Sequence, residues 1–132
     1  MSSSRPQKFL QFILALVALF FGAATLFAGG RVLSGADPGY RVFQPLLLYN
    51  TGMGLAYVGT AFLIWRNLPR ALPASLAIFS LNLLVLVGVA YLRQAGQGVA
   101  EQSLLAMVLR TGVWLVLLLG VAWLLRRRGQ VA

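Results

Sequence analysis

Four apolar runs, separated by short polar breaks, organise the chain. They cover Phe9–Ala28, Pro45–Trp65, Pro73–Leu92 and Leu104–Leu125, each 20 to 22 residues long. At ~1.5 Å rise per residue such a run makes a helix roughly 30 Å long, the thickness of a bilayer's hydrocarbon core. A helix satisfies its backbone polar groups internally, so runs of this length predict four transmembrane helices. The predicted fold is all-α, a four-helix transmembrane bundle that forms one domain over residues 1–132.

The breaks carry turn chemistry. Gly29-Gly30 closes the first run. Asp37-Pro38-Gly39 is a turn signal, because proline presets φ and glycine tolerates positive φ. Pro45 and Pro73 each suit the first turn of a helix. Gly96 and Gly98 interrupt the link before the fourth run. The implied loops, 29–44, 66–72 and 93–103, are too short to hold a soluble domain. Arg5 and Lys8 ahead of an apolar run are a feature of signal peptides. Twenty apolar residues exceed the usual core of such a peptide, however, and no clean small-x-small cleavage site follows, so the first run reads as a retained span.

Composition sharpens the picture by exclusion. Of the 132 residues 60% are hydrophobic and 10% charged, against about a quarter charged in a soluble domain. Cysteine and histidine are both absent. That removes disulfides, thiolate or imidazole metal ligands, and Ser-His or Cys-His nucleophiles. No catalytic residue, metal or cofactor is expected. The only acids are Asp37 and Glu101, and neither lies within a run.

The net charge of +9 does not indicate nucleic acid, because the basic residues are spread along membrane borders rather than gathered on one face. Their distribution sets the topology instead. Arg5, Lys8, Arg66, Arg70, Arg126, Arg127 and Arg128 fall on one side, and Arg31, Arg41 and Arg93 on the other. The positive-inside bias predicts cytoplasmic N- and C-termini in the cell membrane. Trp65 and Trp123 then mark the inner interface, while Tyr40, Tyr49 and Tyr91 mark the outer one. The triple arginine is a topology anchor that also suits anionic headgroups.

Lipid tails are as apolar as leucine, so helices associate in a bilayer through close backbone approach and interhelical hydrogen bonds. Small residues recur along the first span at Ala15, Ala18, Gly22, Thr25 and Gly29, and along the second at Gly52, Ala56 and Gly59. These two seams are expected to meet each other within one bundle or to meet neighbouring chains. Ser75 and Asn82, seven apart, share a face of the third span.

Arg110 is the only charged residue inside a run, six residues below its outer end. A mid-helix charge costs about 2.5–3.5 kcal/mol on insertion scales. One reading lets its long stem snorkel to the outer headgroups. The other turns it inward, where Asn50 lies five residues inside the second span from the same face, Asn82 is about mid-depth on the third, and Thr111 adjoins it. Such a cluster could cradle an anionic or carbonyl-bearing ligand, or serve as interhelical glue. Tyr40, Tyr49, Asp37 and Glu101 would stand near its mouth. Gln11, near the inner end of the first span, is expected to face headgroups.

Two four-span families are excluded by missing residues. Exporters of the small multidrug resistance family depend on a glutamate in the first span, which this chain lacks. Four-span fluoride channels carry a Thr-Phe-Ser-Thr-Phe pattern in the third helix, also absent. The stretch Gly39 to Asn50, continuing through Gly54-Leu55-Ala56-Tyr57-Val58, resembles a set of uncharacterised small bacterial four-span membrane proteins, as does Ala106 to Thr111 with Trp114. The span arrangement is similar to the broad DoxX-like group. The resemblance implies a bacterial inner-membrane location and no reaction. The expected function is that of an accessory or structural membrane protein, acting through helix association with itself or a larger partner in the bilayer. The alternative is binding or transport of a small molecule or anion at the Asn50, Asn82 and Arg110 pocket.

Overall fold

The computed structural model of the chain describes residues 5–35, 37, 39, 44–96 and 101–131, the last four by backbone alone. Four helices fill it: α1 (Arg5–Leu33), α2 (Gln44–Arg66), α3 (Leu68–Gln94) and α4 (Glu101–Val131). All four are long and apolar enough to cross a membrane. Apolar residues are distributed almost evenly around each helix, the pattern of a helix with hydrocarbon on its outer side. Large side chains such as Phe20, Phe27, Leu55, Leu84 and Val116 point outward and stay exposed. The chain is a multi-pass four-helix membrane bundle.

Neighbouring helices run antiparallel. The α1–α2 and α3–α4 hairpins make the most extensive contacts, α2 packs on α3, and a slimmer α1–α4 contact closes the ring. The start of α1, the α2–α3 connection and the end of α4 therefore share one end of the bundle, here the terminal end. The α1–α2 and α3–α4 connections share the opposite, far end. Tyr40, Arg41 and Gly98 lie outside the described residues, as does the side chain of Arg128.

The helices outrun the apolar stretches that predict them. Gly29 and Gly30 do not end α1, which continues to Leu33. Gly29 is buried against α2, where a Cβ would collide with the Thr51 side chain. Here glycine permits contact and does not break the helix. The expected 66–72 loop is also absent: α2 and α3 are joined by Asn67 alone. Leu68 and Ala71 are fully buried, so packing draws this segment into helix. Pro69 occupies the first turn, and Pro73, expected there, lies inside α3. At the far end Gly96, with φ of 76°, takes the left-handed conformation just after α3, and its N–H donates to the Arg93 carbonyl.

The tight α2–α3 turn has a side-chain partner. Gln11, expected to face headgroups, is half-buried, and its Nε2 donates to the Ile64 carbonyl at 2.7 Å and to that of Trp65 at 3.3 Å. These are among the carbonyls that a helix C-terminus leaves without an intrahelical donor. An amide from α1 supplies what water would otherwise provide.

The α1 seam and the α2 seam behave differently. Ala15, Ala18, Gly22, Thr25 and Gly29 are all buried. A Cβ on Gly22 would lie 2.8 Å from Val58 Cγ2 and 3.0 Å from the Val58 backbone nitrogen. On α2 the opposing small residue is Gly54, where a Cβ would lie 2.8 Å from Leu26 Cγ. Gly52, Ala56 and Gly59 are exposed, and a Cβ on Gly52 or Gly59 would meet nothing within 4 Å. The expected meeting of the two seams is thus corrected. Tyr57 and Ala61 occupy the inner face of α2 with Gly54, which rotates Gly52, Ala56 and Gly59 to the outside.

This geometry separates two substitutions of the same type. Gly22→Leu is expected to destabilise the bundle by ~1–3 kcal/mol through overpacking, seen as a lower thermal midpoint in detergent. Gly52→Leu should leave that midpoint unchanged; equal losses in both would contradict the packing described.

Candidate functional site

Two apolar clusters stack along the bundle. The larger fills the terminal half and includes Leu14, Ala18, Ala61, Ile64, Ile78, Trp114, Leu117 and Val121. The smaller, of Leu46, Val89 and Met107, lies toward the far end. Between them, in chain order, come Asn50 on α2, Asn82 on α3, and Arg110 and Thr111 on α4. The polar residues gather at the level where the apolar packing is interrupted.

Asn82 is fully buried, and two tyrosines of α2 meet it. The Tyr49 hydroxyl donates to Asn82 Oδ1 at 2.9 Å. Asn82 Nδ2 donates to the Tyr57 oxygen at 3.1 Å, and the Tyr57 hydroxyl lies 3.4 Å from Oδ1. An amide suits this place because it both donates and accepts. Tyr49 is therefore no interfacial marker. It is half-buried, with its hydroxyl turned into the bundle, whereas Tyr91 is exposed.

Tyr57 touches all three other helices. Its ring lies 5.7 Å from that of Phe21 on α1 and 5.0 Å from that of Trp114 on α4, within the range of favourable aromatic pairs. Its hydroxyl reaches α3 through Asn82. Tyr57 and Trp114 are both completely buried.

Arg110 turns inward. Its Cζ sits 5.9 Å from the centre of the Phe21 ring, a cation–π distance. Nη1 lies 3.5 Å from the Ala106 carbonyl of its own helix. Of the two readings open from the sequence, the interior placement is the one found.

The remaining predicted members are placed less centrally. Thr111 is buried, and its hydroxyl donates to the Met107 carbonyl at 2.8 Å, so its own helix absorbs it. Asn50 is half-buried, and its Oδ1 is a buried acceptor without a hydrogen-bond partner. The Ser75 hydroxyl and the Trp114 indole nitrogen are likewise buried without one. Asp37 and Glu101 are exposed at the far end, where Asp37 accepts from the Gly39 N–H at 2.9 Å.

Tyr57, Phe21 and Trp114 are the residues whose place in the layer the sequence reading overlooks. Tyr57 alone carried a usable signal. A phenol at mid-span has no water to bond, so it requires a polar partner within the bundle. Nothing in the sequence identifies Phe21 or Trp114 as its neighbours. No protein-family model, no curated protein and no solved structure matches the chain.

The Tyr57–Asn82 pair is open to a double-mutant cycle in detergent. Tyr57→Phe, Asn82→Ala and the double variant should show a coupling energy of about 0.6–1.7 kcal/mol. Additive losses would mean that the two side chains do not support each other.

Proposed function

We propose that this layer binds a small molecule through an anionic or carbonyl oxygen, within a multi-pass protein of a bacterial cytoplasmic membrane whose termini are both cytoplasmic. The observation that carries the reading is the inward Arg110, set over Phe21 in the layer where Tyr49 and Tyr57 meet Asn82. A guanidinium offers donors only, and the layer's formal charge is positive. Trp114 and Asn50, within about one turn of the layer in sequence, add hydrogen-bonding atoms with no partner in the bundle. Buried groups of this kind are usually satisfied, and a ligand oxygen or polar hydrogen would satisfy them.

Several features support the rest of the proposal. The basic residues concentrate at the terminal end, as the positive-inside bias requires of a cytoplasmic face. Binding without catalysis fits a chain that has no histidine or cysteine and carries both its acids exposed at the far end.

Trp114 supplies the test. In a Trp65→Phe, Trp123→Phe variant it is the sole tryptophan, and both replaced rings lie on the outer surface. Titration with decanoate, a carboxylate, and with decylubiquinone, which bears paired carbonyls, is expected to give a saturable change in its emission with at least one of them. Arg110→Gln should weaken that response about tenfold or more, the scale of a hydrogen bond to a charged group. Emission unaffected by either compound, or a response that Arg110→Gln leaves intact, would overturn the proposal.

A second reading, association with another copy or a larger membrane protein, is favoured by the Gly52, Ala56 and Gly59 stripe on the open face of α2. Close approach of small residues drives such contacts in lipid. On this reading Gly52→Leu abolishes chemical cross-linking between copies or to the partner while the fold stays intact. Cross-linking unchanged by that substitution would remove it.

A further inference from the structure

A groove runs along the outside of the bundle where α1 meets α2 in the terminal half. It encloses about 210 Å³ and is lined by Phe12, Ala15, Leu16, Leu19, Ala61, Phe62 and Trp65. Its form follows from side-chain size. Ala15 and Ala61 are small and buried, so they make a floor. Phe62 and Trp65 are 63% and 49% exposed and stand beside it as walls. Phe12 and Trp65 meet edge to face at 5.3 Å near the terminal end. Only apolar atoms line the groove, so its occupant presents hydrocarbon.

Helical periodicity places charge at the groove's end. Residues four apart lie on the same face of a helix. Lys8 is one turn before Phe12 on α1, and Arg66 is one turn after Phe62 on α2. Both are exposed. They flank the terminal end of the groove from its two helices, at the level where headgroups begin. The chain's two acids are at the far end of the bundle, so neither opposes this positive charge. Hydrocarbon in the groove and an anion at its terminal end are joined in one class of molecule.

We propose that the groove seats an acyl chain of an anionic phospholipid whose phosphate-bearing headgroup is held by Lys8 and Arg66. The site lies on the outer surface and stands independently of the interior layer. A ring of lipid surrounds any membrane protein; what this site adds is preference for a negative headgroup at one place on the α1–α2 surface.

Trp65 reports on the groove directly. In the Trp123→Phe variant it is the one tryptophan exposed to lipid, since Trp114 is fully buried. The full-length chain is reconstituted into phosphatidylcholine vesicles containing increasing fractions of dibrominated phosphatidylglycerol, or of dibrominated phosphatidylcholine at the same fractions. Bromine quenches the indole when the lipid chain is seated. The expected result is a relative binding constant about fivefold or more in favour of phosphatidylglycerol, the scale set by one basic side chain near a headgroup. Lys8→Gln with Arg66→Gln, two surface changes that leave the packing untouched, should bring the ratio close to one. Equal quenching by both lipids would overturn the proposal, as would a preference that survives the double substitution. Trp65 shielded from both lipids would also overturn it, and would mean that a second copy or another protein covers the groove.

Discussion

One tyrosine holds the four helices in register. The Tyr57 ring is set between Phe21 and Trp114, and its hydroxyl is engaged by Asn82, so a single side chain links α2 to each of its neighbours. In water the burial of apolar surface would do much of this work. In hydrocarbon it does little, because the helices are solvated by molecules as apolar as themselves. What remains is close packing and the strong preference of a buried phenol for a hydrogen-bond partner. Tyr57 supplies both at the centre of the bundle.

Other contacts follow the same logic at different depths. Gly22 and Gly54 let α1 and α2 approach closely enough that either glycine's missing Cβ would strike the opposite helix. Gln11 gives its amide to carbonyls at the end of α2, and the chain then turns into α3 through one residue. Polar atoms in the bundle are placed where a backbone group or another side chain needs them. Ser75, Trp114 and Asn50 stand out because they have hydrogen-bonding atoms left over. These atoms sit on three different helices, α3, α4 and α2.

The two candidate sites draw on different parts of this design. The interior layer interrupts the apolar packing with a guanidinium, an amide and two phenols. The outer groove exists because two alanines lie between larger neighbours, and basic residues follow at the helical repeat. One would take the polar end of a molecule and the other an apolar chain. Both depend on α1 and α2 packing closely, since Phe21 and Tyr57 for the layer, and Ala15 and Ala61 for the groove, come from that pair.

The chain's own pattern is sufficient to predict four helices, their antiparallel order and the unusual status of Arg110. Those features depend on run length, turn chemistry and charge, which act locally or through the solvent. It also indicates that Asn82 lies deep in the bundle. It does not reveal which side of α2 faces inward. Every face of that helix is nearly equally apolar, so the stripe of Gly52, Ala56 and Gly59 looks as suitable for packing as the face that carries Gly54 and Tyr57. Nor does it show that Gly29 and Leu68 belong to helices, because glycine next to a partner helix and leucine next to a proline take their conformation from what they pack against. In a soluble bundle the polar face of each helix would have settled the rotation. Here lipid imposes no such asymmetry, and only the fit of Phe21, Tyr57, Trp114 and Asn82 against one another decides it.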